Sequence, residues 1–375
     1  MVWVCFPAMM SSFPRRFATC TPVAFHANDY FYTRDTGLIC KELLKMGNEC
    51  RVIMPTPGYD DDLAEGALLR VERSKLSCVS WWKELGIEGV VLYSWGDPRY
   101  LCIARAIRRA GLKLIIHFDS SGELHEHRLR PGNKLINKAK DLLINLLRRQ
   151  HLGYAHIITT SQPCIEAFKN DFCYGMTIAG KCREFPTPIS SCFQYDGTPK
   201  QPRIICVGSW HLPVKRAHIL MSSISLLIQK HSSVQVDICG SVPPALQDWQ
   251  ADLPESAKNR VKLHGFCNHD QLSQLYNQAS VSLCTSESEG SHGASAEALC
   301  CGCSVVCPPR PLLSVVRWYT EKNSGTVSRE DTPEALCSAL LEELEKWQKG
   351  ERSAADIAAA WQPCFQVSQL AEWLS

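Results

Sequence analysis

Residues 280–307 carry the densest chemical signal in this chain: Ser-Val-Ser-Leu-Cys-Thr-Ser-Glu-Ser-Glu-Gly-Ser-His-Gly-Ala-Ser-Ala-Glu-Ala-Leu-Cys-Cys-Gly-Cys-Ser-Val-Val-Cys. The stretch reads as a strand, a small-residue turn, a helix, a glycine stop and a second strand. The turn Gly290, Ser291, His292, Gly293 would expose backbone N–H groups at a helix N-terminus, which is a ready site for an anionic group. Two acids flank it, Glu289 at the strand exit and Glu297 about a turn and a half into the helix. Placed so, they can face one ligand at two points. An isolated pair at this spacing would more often be a capping acid and a solvated helix face. The strand–turn–helix–strand context favours a site.

A second candidate is the run Lys113-Leu-Ile-Ile-His-Phe-Asp119, followed by Ser-Ser-Gly-Glu. Either His117 or Asp119 could stand at the exit of this strand. The competing reading makes His117 a core histidine and Asp119 the cap of the next helix.

The 280–307 stretch resembles the retaining glycosyltransferases of family 4, whose hallmark is Glu, seven residues, Glu, then Ala, a small apolar stretch, Gly and a Val-rich strand. Glu289, Glu297, Ala298, Gly302, Val305 and Val306 fit that pattern. Upstream, His264-Gly265-Phe266 with Leu272, Leu275, Tyr276 and Ala279 resembles the family's run into the same strand. Downstream, Asn323-Ser324-Gly325-Thr326-Val327 is similar to its later Gly turn, and Val207-Gly208 with Lys215 is similar to the opening of its donor domain. The likeness spans about 203–340 and is weaker before it, where Gly37 opens a helix running Leu38 to Met46.

The resemblance implies a GT-B fold, two Rossmann-like domains facing a cleft, and transfer of a sugar from a nucleotide diphosphate with retention at the anomeric carbon. It implies that Glu297 accepts hydrogen bonds from ribose hydroxyls and that Glu289 binds the transferred sugar. Lys215 would neutralise the diphosphate, the 290–293 turn and Gly265 would line the donor site, and Gly37 would let backbone approach the diphosphate from the other domain. A polar residue, His117 or Asp119, would stand near the sugar. The family usually carries Arg directly after the opening Gly; here Ser209, Trp210 and His211 follow Gly208, and either Arg216 beside Lys215 substitutes or the phosphate depends more on helix N-termini. Rival readings are a nucleotide-sugar epimerase of the same fold and a non-catalytic nucleotide-sugar-binding relative. Asp60-Asp61-Asp62 follows Pro-Thr-Pro-Gly-Tyr and reads as an acidic loop rather than a metal-binding D-x-D, so no essential metal and no other cofactor is expected.

Elements to position these residues are visible as short apolar runs alternating with helical periodicity, which argues α/β architecture with doubly wound parallel sheets. Strands are expected near 2–6, 50–54, 90–94, 113–118 and 155–160, with helices at 37–47, 98–110 and 133–150. A second series lies near 203–208, 234–239, 261–264, 280–284 and 304–307. The Pro-, Gly- and Ser-bearing segment 185–202 reads as a linker. The expected units are an acceptor-side domain, 1–195, a donor domain, 196–355, and a tail, 356–375, with Trp361 and Trp373, that crosses back to the first domain.

With 375 residues, 45% hydrophobic and 21% charged, the chain is globular and long enough for two domains. A formal charge of +2 argues against nucleic acid as a partner. The 20 cysteines sit mostly inside apolar runs, as Cys5, Cys206, Cys239 and Cys284 do, and read as packing residues in a reducing compartment. Cys300, Cys301, Cys303 and Cys307 match no common metal spacing. The apolar start has Arg15-Arg16 after it rather than before it, the reverse of a secretory leader, and reads as a buried strand. A cytoplasmic protein is expected.

Basic residues concentrate in the first half, 25 against 19 acids in 1–195, and seven of them fall within 128–149 beside one acid, Asp141. Helical spacing there puts Leu135, Ile136, Ala139, Leu142, Leu143, Leu146 and Leu147 on one side. Two readings stand: a core helix with a solvated basic face, or peripheral contact with an anionic membrane, on whose inner face a lipid-linked or glycan acceptor would be met.

Overall fold

The computed structural model describes residues 14–27, 31–56, 67–129 and 131–374. The strand expected at 2–6, Cys5 and Asp60–Asp62 lie outside the described residues. Two parallel sheets organise the rest. The first contains β1 (Arg16–Cys20), β2 (Glu49–Pro55), β3 (Leu68–Val71), β4 (Gly89–Tyr93), β5 (Lys113–His117), β6 (Ile157–Thr160) and β7 (Cys182–Glu184). Its order is β3-β2-β1-β4-β5-β6-β7, with every pairing parallel. The second contains β8 (Gln201–Ser209), β9 (Gln235–Ser241), β10 (Val261–Gly265), β11 (Ala279–Leu283), β12 (Ser304–Cys307) and β13 (Gly325–Val327), in the order β10-β9-β8-β11-β12-β13.

Helices cover both faces of each sheet, so central strands are apolar along their whole length rather than alternating. All five residues of β4, Gly-Val-Val-Leu-Tyr, are buried, as are all four of β12, Ser-Val-Val-Cys. Cys300, Cys301, Cys303 and Cys307 lie in the apolar core between the second sheet and the helices on one of its faces, packed with Tyr276, Val305 and Trp361. Strand order reverses between β1 and β4 in one domain and between β8 and β11 in the other. Crevices at such reversals, beyond the carboxyl ends of the strands, are where open α/β sheets bind ligands.

Four strands are present that the sequence pattern did not announce: β1, β3, β7 and β13. Three of these are edge strands of three or four residues, too short to show a period, and β13 has the Gly-Thr-Val sequence of a turn. The helix expected at 37–47 runs Asp35–Lys45, and that at 98–110 is a tight turn, Pro98–Tyr100, followed by the helix Leu101–Arg109.

The helix Lys134–Gly153 corrects one reading. Its apolar row is not core: Leu135, Ile136, Leu142, Leu143, Leu146 and Leu147 are exposed, while Asp141, Asn145, His151 and Leu152 are buried. The polar side is held inward by partners far away in sequence. His125 Nδ1 lies 2.5 Å from Asp141 Oδ2 and its Nε2 lies 2.5 Å from Asp171 Oδ2. Arg128 Nε donates to Asp141 at 2.9 Å, the Tyr174 hydroxyl donates to Asn145 Oδ1 at 2.5 Å, and Ser94 Oγ pairs with His151 Nε2 at 2.8 Å.

The chain passes from β7 to β8 through 185–200 and ends on the first domain. Trp361 packs in the second domain's core, whereas Val367, Leu370 and Leu374 of the final segment pack with Phe17, Tyr93 and Ile115. Gly89 on β4 has no side chain because Leu374 fills that space.

Candidate active site

The 280–307 motif folds as its residue types dictate. After β11, residues 284–292 run along the end of the sheet, and the helix Gly293–Cys300 begins at His292, which takes a left-handed conformation with φ 44°. The His292 ring turns back to its own helix, Nδ1 lying 2.7 Å from Ser295 Oγ. Burial holds it well below the usual histidine range, at about 4, so the ring is neutral near neutrality.

Lys215 and Glu289 meet. Nζ donates to Oε1 at 2.6 Å, with both side chains largely buried at 18% and 14% exposure. Lys215 ends a short turn, Pro213–Lys215, that is sewn to the motif by two further bonds: Glu287 N–H donates to Val214 O at 2.8 Å, and Thr285 Oγ1 to Lys215 O at 2.8 Å. Burial pushes the Glu289 carboxyl up, but His292 and Lys215 more than offset this and hold it below the usual glutamate value. It is therefore a carboxylate. Glu297 is different. Burial pushes it up to about 7, against the weaker opposing effect of the Tyr276 hydroxyl, which donates to Oε2 at 3.2 Å.

Asp119 brings the other domain to this turn. It follows β5 and packs against Gly290 so closely that a Cβ there would run into its carboxylate; glycine is what lets the two surfaces meet. Burial pushes Asp119 up to about 6, helped by the charge of Asp35 and opposed by hydrogen bonds from Ser291. Its Oδ1 is buried without a hydrogen-bond partner. The Ser291 carbonyl accepts a bond from Tyr319 Oη at 2.7 Å, and Ser314 Oγ donates to Ser121 O across the same junction. A cavity of about 230 Å³ in the first domain is lined by Thr21, Phe25, Phe31, Asp35, Tyr93 and Trp95 among others, and it is the charge of this Asp35 that acts on Asp119. The cavity sits at the β1/β4 reversal, and Asp35 in its wall has φ 50°.

The other expected site residues fall elsewhere. His117 has no exposed surface: its ring stacks on Tyr93 with centroids 4.3 Å apart, and Nδ1 pairs with Thr159 Oγ1 at 3.0 Å. Burial drops it to about 3. Of the two residues left open by the sequence, Asp119 is the one at the domain junction. Gly37 lies in the helix Asp35–Lys45, and the room its missing side chain leaves is taken by the Phe31 carbonyl and ring rather than left open toward the cleft. Gly208 is near the end of β8 over the buried Trp210, and Gly265 closes β10 with φ 67°.

Arg216 is the clearest departure. Its Nη1 is 2.7 Å from Asp331 Oδ1, and Arg310 holds the other oxygen of that carboxylate, so the guanidinium is already paired within the domain. Asp35, Tyr93 and Tyr319 were missed in the sequence. A helix-opening Asp two residues before Gly37 was the one available signal. No group of three or more His, Cys, Asp or Glu able to hold a metal ion occurs among the described residues.

Comparison with known proteins bears on the fold. Residues 201–346 match the family model described as glycosyl transferases group 1. No curated protein sequence matches the chain. Among solved structures, the sucrose-phosphate synthase of Thermosynechococcus elongatus aligns with a TM-score of 0.64 at 15% identity, over 96% of this chain and 98% of that one. Anabaena HepE, solved with UDP and glucose, aligns with a TM-score of 0.60 at 16% identity, over 96% and 99%. WaaG, a glycosyltransferase involved in lipopolysaccharide biosynthesis, aligns with a TM-score of 0.59 at 13% identity, again over 96% and 99%. At such identities the likeness is one of fold, and the fold is GT-B. The glycosyl transferases group 1 match over 201–346, set within that fold, supports a glycosyltransferase.

Proposed function

We propose that the enzyme takes a sugar from a nucleotide-diphosphate donor and transfers it to a glycan or lipid-linked acceptor with retention at the anomeric carbon, in polysaccharide or glycolipid assembly. The observation that carries this reading is the Lys215–Glu289 pair beside the 290–293 turn, with Asp119 of the opposite domain against Gly290. Lys215 and the backbone N–H groups of the turn supply positive potential for a diphosphate leaving group, and Glu289 supplies an acceptor for hydroxyls of the sugar. Glu297, with its neighbour Tyr276, takes the ribose hydroxyls. HepE, whose solved structure holds UDP and glucose, lends support to a donor of this class.

The acceptor enters through the cavity at Asp35, Tyr93 and Trp95, and Asp119 stands between it and the donor turn. An oxocarbenium-like centre would be stabilised by Glu289 and by exclusion of water as the cleft closes. No side chain is assigned as a covalent nucleophile. A second reading, donor binding without turnover, is favoured by one observation: the expected stand-in for the missing arginine, Arg216, is engaged by Asp331.

A thermal-shift panel of UDP, GDP and ADP sugars tests the donor class, because a ligand at about 100 times its Kd adds roughly 2.7 kcal/mol of stability. A shift with one base, followed by release of the diphosphate and a new glycoside, supports transfer. A shift without release over many acceptors supports the second reading, and no shift with any donor removes both.

A further inference from the structure

The helix Lys134–Gly153 is built inside out. An ideal turn of about 100° per residue places Leu135, Ile136, Ala139, Leu142, Leu143, Leu146 and Leu147 within an arc of roughly 140°. Leu135 is 78% exposed and Leu143 59%, and the arc lies opposite the buried Asp141, Asn145 and Leu152. Amphipathic helices of globular proteins point such an arc at the core. Here the core side is polar and is bonded to His125, Arg128 and Tyr174. Two more large apolar side chains, Phe172 and Met176, are exposed on the neighbouring segment, whose Tyr174 bonds Asn145 of this helix. Isolated exposed leucines need no explanation, but a continuous apolar row about 18 Å long does.

Charge selects the occupant. Lys138 and Arg149 border the arc on one side and Lys140 on the other, Lys134 stands at its start, and the helix's one acid, Asp141, is buried. Every exposed charge on the helix is therefore positive. A second copy of this chain laid on the face would set those cations against one another. A surface with anionic headgroups over acyl chains matches both the arc and its borders. No described helix is long and apolar enough to cross a membrane, and Lys138 and Lys140 in mid-helix suit a position in the plane of the interface.

We infer that the Lys134–Gly153 helix docks the enzyme onto anionic phospholipid membranes by inserting its leucine face among the headgroups. Flotation of the full-length protein tests this without any donor sugar, so its outcome is separate from that of the transfer reading. Vesicles of phosphatidylcholine alone are compared with vesicles that also contain phosphatidylglycerol. Binding is expected only to the second and is weakened by salt.

Removing the three bordering cations together, K138Q/K140Q/R149Q, is expected to weaken binding about fivefold per residue, the equivalent of about 1 kcal/mol each. L143S/L146S is expected to lower it roughly tenfold or more while leaving the melting temperature unchanged, because both side chains are already exposed. Equal or negligible binding to the two vesicle types overturns the inference, as does unaltered binding by either variant. Light scattering on the same samples gives the remaining outcome. A dimer that L143S/L146S turns into a monomer, with no flotation, assigns the face to a second copy and also overturns it.

Discussion

Replacing Glu289 by Gln separates binding of the diphosphate from transfer of the sugar, and the structure gives the sign of each effect. Lys215 Nζ is 2.6 Å from Glu289 Oε1, and both side chains are mostly buried. A charge-assisted bond of this kind is worth about 1.5–3 kcal/mol. A diphosphate must compete with that carboxylate for the same ammonium group, and its own charge must also approach the carboxylate. Glu289→Gln keeps the shape and removes the charge, so Lys215 is released to the diphosphate. Part of the gain is lost because the amide oxygen still accepts a weaker bond. The net expectation is an affinity for the free nucleoside diphosphate raised about three- to tenfold, or roughly 0.7–1.4 kcal/mol.

Turnover moves the other way. The same substitution removes the negative charge facing the reacting centre, and loss of one such electrostatic group costs about a hundredfold or more in rate. Lys215→Met serves as the control and is expected to weaken diphosphate binding by roughly 1.5–3 kcal/mol. Calorimetry with the nucleoside diphosphate that gives the largest thermal shift measures the first effect, and single-turnover transfer from its sugar measures the second. A fall in diphosphate affinity for Glu289→Gln as large as that for Lys215→Met would refute the reasoning. Glu289 would then be organising the phosphate site rather than competing for it.

Glu297→Gln is expected to raise the melting temperature at about pH 8 and to change it little near pH 5. Burial raises the Glu297 pKa from 4.5 to about 7, so the stability linked to its protonation is complete below the unfolded value and is lost as pH rises through about 7. Gly290→Ala places a methyl group against the Asp119 carboxylate and is expected to cost about 1–3 kcal/mol at the domain junction together with most activity; Gly290→Ala combined with Asp119→Ala recovers the stability, which denaturant unfolding of both variants checks. His125 loses pKa to burial but gains more from Asp171 and Asp141, with Arg128 opposing, so its pKa is raised. Stability from this clamp is therefore full below about pH 6.5 and is lost as pH rises through the higher folded value, an effect that His125→Gln removes and amide exchange along Lys134–Gly153 reports. Donor binding is expected to survive chelation by EDTA, since charge neutralisation is assigned to Lys215 and backbone amides; loss restored by Mn²⁺ or Mg²⁺ contradicts that assignment and turns attention to Asp60–Asp62.

The parts of this molecule that could be read from the sequence are those in which one local pattern has one structural outcome. The run from Ser280 to Cys307 is such a case: a buried strand, a glycine-bearing turn, a short helix and a second buried strand follow from residue types alone, and the contact of Glu289 with Lys215 closes over 74 residues because the two follow the adjacent central strands β11 and β8. Choosing between His117 and Asp119 was not a local question. They lie two residues apart, His117 ending β5 and Asp119 just beyond it, and what separates them is the opposite domain. Gly290 approaches Asp119, whereas Tyr93 and Thr159 enclose His117. Arg216 shows the same limit, since its pairing with Asp331 spans 115 residues.

The Lys134–Gly153 helix takes the point further. A period of about 3.6 says which residues share a face, and it said so correctly for the leucine row. It does not say which way the face turns. Hydrophobicity alone would drive the leucines onto the sheet, at about 1.5–3 kcal/mol for each large side chain fully buried. Yet the opposite face carries Asp141, Asn145 and His151, and exposing it would break the Asp141–His125–Asp171 bridge and leave Arg128, Tyr174 and Ser94 to find other partners. The orientation is thus a balance between apolar area and a buried polar network, and here the network prevails. An apolar phase on the outer side removes the conflict, because the leucines are then buried without displacing the network. The fold and the interfacial role proposed for this helix are in that sense one argument, and a helix found solvent-facing in every condition would leave its leucine row without a physical cause.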